Sequence, residues 1–394
     1  MERRVLMCRT RPVLAFDVDR RSGCASGVGE VLDRDRLPLE LITHGKEAVY
    51  ARRIDAWWSH RAIPPTRDGI RRALDVMGVH STVDLLNGSL GLSLSDQYWV
   101  RPADSDLRWQ DVNFFDTPFD EDLGKLLLTT YSSSHELSFN VPDASTGGDL
   151  PKRWTIRAAD GMRVMVKAGR TGQEPINEVI ASRLAEKLGI PAVRYTLGEF
   201  ENRLLCSCDE MLTDREELVS AWQLLESVKR NNRLSMRDQW ECAATRFGCD
   251  AGAISHATDD WLLVDYLMRN TDRHYNNFGV IRDVDTLSVR PAPLFDTGAS
   301  LWCGELVIDD RDYKAKPFYA TYKTSTARRQ LKLVRSWDRY DLDALSTWPD
   351  EAAHRLSLTN MVAPARIDMI RNALVRRVGD VRKARDRSVR DTDR

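Results

Sequence analysis

Three polar residues in the second half of the chain have types and spacing suited to phosphoryl transfer. Asp272 is followed five residues later by Asn277, and Asp296 stands in the run Leu294-Phe-Asp-Thr-Gly298. Phosphoryl transfer has a loose transition state, so an enzyme mainly positions the reactants and supplies positive charge through Mg²⁺. In that chemistry one Asp orients the acceptor hydroxyl, while an Asn and a second Asp bind the metal. We therefore predict Asp272 as the catalytic residue and Asn277 and Asp296 as Mg²⁺ ligands.

A lysine and a glutamate nearer the N-terminus extend this set. Lys167 ends an apolar strand pattern, and Glu178 lies early in the helical pattern that follows. Such a pair holds an ammonium group against nucleotide phosphates. Taken alone, Lys167 is more typical of a solvated strand end, and Glu178 of an ordinary helix-start acid favoured by the helix dipole. The order of all these groups along the chain favours the phosphotransferase interpretation.

A turn-forming segment upstream of the lysine offers backbone donors to phosphate oxygens. Its residues are Ser145, Thr146, Gly147 and Gly148. Glycine lets the backbone approach a phosphate without a Cβ clash, although the segment is also typical of a plain turn. Adenine is expected near the strand pattern of residues 204–211, with Cys208 and Met211 as candidate contacts. The expected cofactors are ATP and Mg²⁺.

The pattern of elements predicts how these groups are positioned. A hairpin over residues 153–167, a helix over 177–188 and strands over 193–200 and 204–211 predict a small sheet carrying one helix. Helical patterns dominate afterwards, including candidates over residues 217–229, 235–247 and 259–268. We therefore predict an α+β, bilobal, protein-kinase-like fold. Residues 125–213 form its β-rich, ATP-binding N-lobe, and residues 214–380 form its helical C-lobe.

The flanking segments are less informative about chemistry. Residues 1–124 predict a small α-rich unit in which short strands precede helices, and Trp57 and Trp58 are expected to pack rather than to recognise a ligand. The polar run of residues 91–99 is expected to dock against the kinase lobe. Residues 381–394 alternate Arg with Asp so densely that a charged, partly frayed tail is expected.

Composition limits the classes of partner. The chain has 394 residues, is 42% hydrophobic and carries a formal net charge of −1, so no global field favours nucleic acid or an anionic membrane. Its apolar runs are short, and its seven cysteines do not suggest a disulfide framework. We expect a cytoplasmic protein without a membrane segment or direct nucleic-acid binding.

Two runs resemble the HipA-like kinases. They are Asn270-Thr-Asp-Arg-His-Tyr-Asn-Asn-Phe-Gly279 and Arg290-Pro-Ala-Pro-Leu-Phe-Asp-Thr-Gly298. These kinases are bacterial serine/threonine kinases, some of them toxins of toxin–antitoxin pairs, and their fold is related to protein kinases and phosphoinositide kinases. The resemblance covers roughly residues 130–335.

The resemblance implies roles for individual residues. Asp272 would be the catalytic base, Asn277 and Asp296 would bind Mg²⁺, and Lys167 would contact the ATP phosphates. The loop of residues 145–148 would cover the nucleotide, and its Ser145, with Thr146 close behind, would be the candidate for autophosphorylation. Residues 1–124 do not match the N-terminal subdomain of the best-known toxin of the family, so its antitoxin and substrate are not carried over.

Three functions remain open at this point. The first is a protein kinase acting on an unidentified protein substrate and on itself, with an antitoxin or another regulatory partner. The second keeps the fold but has a lipid or small-molecule acceptor. The third is a nucleotide-sensing interaction module without catalysis.

Overall fold

The computed structural model describes residues 1–42, 48–66, 70–117, 150–318 and 326–392. The N-terminal part is built on an antiparallel sheet, whose strands are β1 (Glu2–Cys8), β2 (Arg11–Val18), β3 (Ala25–Val31), β4 (Val49–Tyr50) and β5 (Tyr98–Pro102), in the order β4-β3-β2-β1-β5. Its helices are α1 (Ala51–His60), α2 (Ile70–Met77), α3 (Thr82–Gly88) and α4 (Trp109–Val112). Short strands precede the helices, as the sequence predicts, but β1, β2 and β3 pair with one another and with the more distant β5 in one sheet, so the unit contains as much sheet as helix. Trp57 is buried in the core of this unit.

The next unit is the small sheet that the sequence predicts. Its strands are β6 (Lys152–Ile156), β7 (Arg163–Ala168), β8 (Tyr195–Phe200) and β9 (Arg203–Asp209), in the order β6-β7-β9-β8. Helix α5 (Glu174–Lys187) lies between β7 and β8 in sequence and packs on the sheet. Since β7 is paired on both sides, its last residues are held firmly.

The following part is mainly helical and contains a third sheet, which has three strands. Its elements are β10 (Glu216–Ser220), α6 (Ala221–Ser227), α7 (Met236–Arg246), α8 (Ala251–Met268), β11 (Gly279–Asp283), β12 (Val289–Pro291), α9 (Ala327–Leu331), α10 (Trp348–Ser357) and α11 (Pro364–Thr392). The strands of this sheet are in the order β10-β11-β12. The predicted helix over residues 217–229 is wrong in its first part. Leu218 and Val219 pair with Ile281 and Val280 of β11, and this long-range pairing overrides the helical pattern.

The C-terminal segment is a correction as well. Helix α11 continues to Thr392, and Val381 within it is fully buried, so residues 381–392 are not a frayed tail. The charged residues cover the exposed side of a helix whose other side packs against α8 and α10. The predicted domain boundaries otherwise remain predictions.

The polar run of residues 91–99 docks on the C-lobe, as expected. Gln97 is fully buried and donates its side-chain amide to the Glu216 carbonyl at 3.0 Å. The Leu218 N–H donates to the Ser95 carbonyl at 2.9 Å. The polar residues of the run therefore satisfy backbone groups of β10.

Two sequence-based expectations concern the environment of the chain. No helix in the described ranges is long and apolar enough to cross a membrane. All seven cysteines are free thiols.

The fold is α+β and bilobal, as predicted.

Candidate active site

Lys167, the next-to-last residue of β7, forms the centre of a buried charged cluster. Its Nζ atom lies 3.1 Å from Tyr195 Oη, 3.3 Å from Asp296 Oδ1 and 3.5 Å from Glu178 Oε1. These four residues, Lys167, Glu178, Tyr195 and Asp296, are called the Lys167 cluster below. The structure thus brings together the three predicted residues Lys167, Glu178 and Asp296, which are separated by up to 129 positions in sequence.

The charges of this cluster stabilise one another. Burial lowers the pKa of Lys167, but Tyr195, Asp296 and Glu178 together raise it well above its ordinary value. Burial raises the pKa of Asp296, and the Lys167 ammonium more than offsets this, so that the pKa of the carboxyl is lowered to about 2. Both side chains are therefore charged at neutral pH, and one lysine faces two carboxylates.

Helix α5 is joined directly to the segment that carries Asp296. Glu178 Oε2 accepts hydrogen bonds from Thr297 N at 2.8 Å and from Thr297 Oγ1 at 2.7 Å. Asn177, fully buried, donates its amide to the carbonyls of Gly298 and Ser300 at 2.8 Å each. A Cβ on Gly298 would lie 3.3 Å from Glu174 Cβ, so glycine permits the close approach of helix and segment.

Sequence reasoning missed the roles of Asn177 and Thr297. Asn177 stands among apolar positions of an amphipathic helix, and a buried amide in such a place must find hydrogen-bond partners. Thr297 directly follows the predicted metal ligand. Both signals are present in the sequence, but the partners are 119 to 123 residues away.

The loop that carries Asp272 begins where α8 ends. Arg269 terminates the helix with a φ of 53°. Arg273 donates to Asp265 Oδ2 at 2.9 Å and to the Phe295 carbonyl at 2.8 Å, and it also donates to the Asn277 carbonyl. Arg273 thus has a structural role, because it ties the loop to Phe295, the residue before Asp296.

Asp272 itself is half-exposed and has a cationic neighbour. Its Oδ1 atom lies 3.2 Å from Lys316 Nζ, and its backbone carbonyl accepts a hydrogen bond from Asn277 Nδ2 at 2.9 Å. His274 Nε2 lies 3.8 Å from Asp272 Oδ2. Sequence reasoning did not identify Lys316, which is 44 residues away and belongs to no recognised motif.

The oxygens of this site fit a magnesium ion. Asn277 donates its amide nitrogen to the Asp272 carbonyl, and its amide oxygen accepts no hydrogen bond from a residue in the described ranges. Asp296 adopts a φ of 57°, an uncommon conformation that often marks functional sites, and its side chain is 35% exposed. Mg²⁺ usually takes one or two carboxylates and completes its shell with phosphates and water. In the described part of the chain, no three His, Cys, Asp or Glu side chains are grouped so that they could hold a metal ion by themselves.

The remaining predicted contacts lie at the edge of this site or outside the described residues. Cys208 is buried on β9, directly opposite Tyr195 and Met165 on the neighbouring strands. Met211 follows that strand and packs beside Leu212. The segment of residues 145–148 lies outside the described residues. The adenine and phosphate-loop roles therefore remain predictions.

Comparison with known proteins identifies relatives of this chain. A family model described as the HipA-like C-terminal domain matches residues 140–368. A curated relative, the serine/threonine-protein kinase CtkA of Helicobacter pylori strain J99, is 25% identical over 130 residues. That match covers 32% of this chain and 40% of the relative, so it spans less than half of the relative's length.

Two solved structures resemble the fold. One chain of the Shewanella oneidensis MR-1 toxin–antitoxin complex of HipA, HipB and operator DNA matches with a TM-score of 0.58 and 14% identity, over 97% of this chain and 99% of that chain. The crystal structure of the H. pylori proinflammatory kinase CtkA matches with a TM-score of 0.47 and 18% identity, over 61% of this chain and 95% of that chain. The first of these likenesses supports the bilobal fold over nearly the whole chain.

Proposed function

We propose that this chain, which belongs to the family with a HipA-like C-terminal domain, is an ATP- and Mg²⁺-dependent serine/threonine protein kinase. It transfers the γ-phosphoryl group of ATP to a protein and to itself. The observation that carries the proposal is the meeting of two segments. Lys167 reaches Asp296 at 3.3 Å, and Arg273 ties the Asp272 loop to the residue before Asp296.

Each residue has a role in this mechanism. Lys167 binds phosphate oxygens, and Glu178 fixes the position of the Lys167 ammonium group through their ion pair. Asp272 accepts the proton of the acceptor hydroxyl on Oδ2, since Oδ1 faces Lys316. The hydroxyl oxygen then forms its bond to the γ-phosphorus as the bond to the bridging oxygen breaks, and ADP leaves. Asn277 and Asp296 would hold Mg²⁺, which when bound would supply positive charge to the phosphate oxygens.

The relatives support the acceptor class and the partner class of this proposal. CtkA is named a serine/threonine-protein kinase, so serine or threonine of a protein is the acceptor proposed here. The matched Shewanella structure is a toxin–antitoxin complex. We therefore include an antitoxin-type protein partner, with this chain as the toxin, in the proposal.

The test is phosphate transfer from labelled ATP with Mg²⁺ to the protein itself and to lysate proteins. Wild type should label serine or threonine, whereas Asp272→Ala and Asp296→Ala should each lose activity by at least roughly 100-fold, because each removes a group that acts in the transition state. Asp104→Ala is the matched control, since Asp104 is an exposed aspartate of the N-terminal unit. Mass spectrometry of the labelled residue also tests Ser145.

The opposite result is equally informative. If wild type binds ATP but transfers no phosphate to itself, to lysate proteins or to lipid acceptors, the kinase proposal fails for this chain. The nucleotide-sensing module would then replace it. Transfer to a lipid alone would support the second of the three functions.

A further inference from the structure

A pocket lies beside the catalytic loop and outside the Lys167 cluster. It has a volume of about 250 Å³ and is formed by α6, α7 and the segment that joins them. Tyr275, three residues after Asp272, forms part of its wall. Trp222, another wall residue, donates its backbone N–H to the Tyr275 carbonyl at 3.0 Å. The pocket is thus hydrogen-bonded to the loop that carries the predicted catalytic residue.

The interior of this pocket is largely apolar. Its walls include the side chains of Trp222, Leu225, Val228, Leu234, Met236 and Tyr275. Its volume is smaller than the roughly 300–1,000 Å³ of most small-molecule sites, so one bulky side chain fits it better than a nucleotide does. Aromatic and aliphatic pockets of this kind typically receive an apolar anchor residue of a partner protein.

The rim of the pocket is positively charged. Lys229, Arg230 and Arg246 lie there with one acid, Glu226, which faces Arg230 at 3.9 Å. Lys229 and Arg246 are exposed, and neither forms an ion pair or a side-chain hydrogen bond with the residues that the structure describes. Two positive charges at the rim are therefore left for a partner. Complementary charge across an interface favours encounter and fixes the register of binding.

The position of Tyr275 links this pocket to the site of transfer. Its hydroxyl group donates to the Pro317 carbonyl at 3.2 Å. The preceding residue, Lys316, faces Asp272. A chain bound in the pocket would therefore contact the loop of Asp272 through Tyr275, whose hydroxyl group is in turn bonded to the segment that carries Lys316.

We propose that this pocket docks an acidic segment of the protein that is phosphorylated. One bulky apolar side chain of the segment enters between Trp222 and Tyr275, and flanking carboxylates pair with Lys229 and Arg246. The proposal rests on the proposed function, because it names the substrate class of the same kinase. It adds that acidic proteins are preferred over basic ones.

A chemical probe tests the location directly. Cys242 is exposed and lines the pocket, whereas Cys24 is exposed on the N-terminal unit. The ligand is a synthetic peptide with one phenylalanine flanked by glutamates and without serine, threonine, tyrosine or cysteine. It should slow the alkylation of Cys242 by N-ethylmaleimide at least fivefold and leave Cys24 unchanged, as followed by mass spectrometry of the intact, full-length protein.

Two control peptides define the chemistry. A peptide with lysine in place of glutamate should not protect Cys242, because the rim would repel it. A peptide with alanine in place of phenylalanine should protect only weakly, because the apolar walls would have no anchor. If the alanine peptide protects as well as the phenylalanine peptide, the rim binds anions without specificity and the proposal is overturned.

Charge reversal tests the residues. Lys229→Glu combined with Arg246→Glu should weaken peptide binding at least tenfold. Binding is measured by anisotropy titration with a fluorescently labelled form of the phenylalanine and glutamate peptide. Arg20→Glu combined with Arg21→Glu is the matched control, since it makes the same change of charge on exposed residues of the N-terminal unit and should leave binding unchanged. Equal loss in both double variants would overturn the proposal, because binding would then follow net charge alone.

The peptide experiments do not require phosphate transfer, so the two proposals fail separately. Transfer to protein acceptors without protection of Cys242 would overturn the docking pocket and leave the kinase proposal intact. Protection of Cys242 in a protein that transfers no phosphate would keep the acidic-segment site and contradict the kinase proposal.

Discussion

Two buried clusters each combine a cationic side chain, carboxylates and a tyrosine, but one forms the candidate active site and the other supports the fold. The Lys167 cluster lies between the N-lobe and the Asp296 segment. The second, called the junction cluster, lies where the N-terminal unit meets the C-lobe and consists of Arg282, Glu217 and Tyr98. In it, Arg282 donates to Glu217 Oε1 and to Tyr98 Oη, the latter at 2.8 Å, and to the carbonyl of Leu37 at 3.3 Å.

The clusters differ in what remains for a ligand. The junction cluster pairs one cation with one carboxylate, and the Glu217 side chain is only 3% exposed. The Lys167 cluster pairs one cation with two carboxylates, and the Asp296 side chain is 35% exposed. A net charge of −1 with an accessible oxygen suits a metal ion, whereas a balanced and enclosed pair suits structural support. The difference shows how charge balance and exposure separate a candidate active site from a structural ion pair.

The largest expected effect concerns the junction cluster. Burial raises the pKa of Glu217, and Arg282 offsets part of this effect. Arg282→Met should lower the free energy of unfolding by about 3–5 kcal/mol at neutral pH, because it leaves a buried carboxylate without its partner. Urea unfolding measures this loss, and transfer activity per folded molecule should be retained.

A neighbouring surface pair provides the control for that experiment. Arg290 faces Glu216 at 2.8 Å, and the Arg290 side chain is half-exposed. Arg290→Met should cost no more than about 1 kcal/mol, because exposed ion pairs contribute little. Equal costs for the two arginine variants would contradict the structural role of the junction cluster.

The second effect concerns how the Lys167 cluster is held. Asn177→Leu removes both hydrogen bonds to the Asp296 segment and should cost about 2 kcal/mol of unfolding free energy, because two buried carbonyls lose their donor. As a positioning residue, Asn177 should also affect catalysis. We expect kcat to fall more than the KM for ATP rises, because the segment that carries Asp296, the proposed Mg²⁺ ligand, would shift relative to Lys167.

A purely structural role would give a different pattern. Asn87→Leu, on the exposed side of α3, should change neither stability nor kinetics appreciably. If Asn177→Leu lowers the urea midpoint but leaves kcat and KM unchanged at a temperature where the protein is folded, Asn177 only stabilises the fold.

The sequence predicted what depends on local spacing. The distance from Asp272 to Asn277, the strand before Lys167 and the helix that carries Glu178 are all visible within short windows. The bilobal α+β fold followed from these patterns and the resemblance they carry. The predicted helix begins at Asn177, whereas α5 begins at Glu174, with Pro175 in its first turn, where proline is favoured.

What could not be predicted depends on long-range partners. The sequence of strand β10 predicts a helix, and only its pairing with β11 makes it a strand. Lys316 can be recognised as a site residue only from its contact with Asp272. The junction cluster joins Arg282 to residues 65 and 184 positions away. No local pattern distinguishes its glutamate from an exposed one, so only the folded structure separates the two clusters.

The smallest expected effect compares the two clusters by the sign of their pH dependence. Lys167 holds the folded-state pKa of Asp296 at about 2, below its ordinary value of 3.8. Ionised Asp296 therefore stabilises the fold above about pH 4, and this contribution is lost as the pH falls towards 2. We expect the stability difference between wild type and Asp296→Asn to shrink by about 1 kcal/mol over that window, a value reduced for solvent screening of a partly exposed side chain.

Glu217 should show the opposite sign. Its pKa is raised above 4.5, so protonation favours the folded state, and wild type should gain stability relative to Glu217→Gln as the pH falls from 7 towards 4.5. Urea unfolding of wild type and both carboxamide variants between pH 7 and pH 2 measures the two slopes. Slopes of the same sign would contradict the proposed difference between the two carboxylates. Asp296 would then not be the carboxylate stabilised by a cation at an accessible site, with Glu217 as the one enclosed in a structural ion pair.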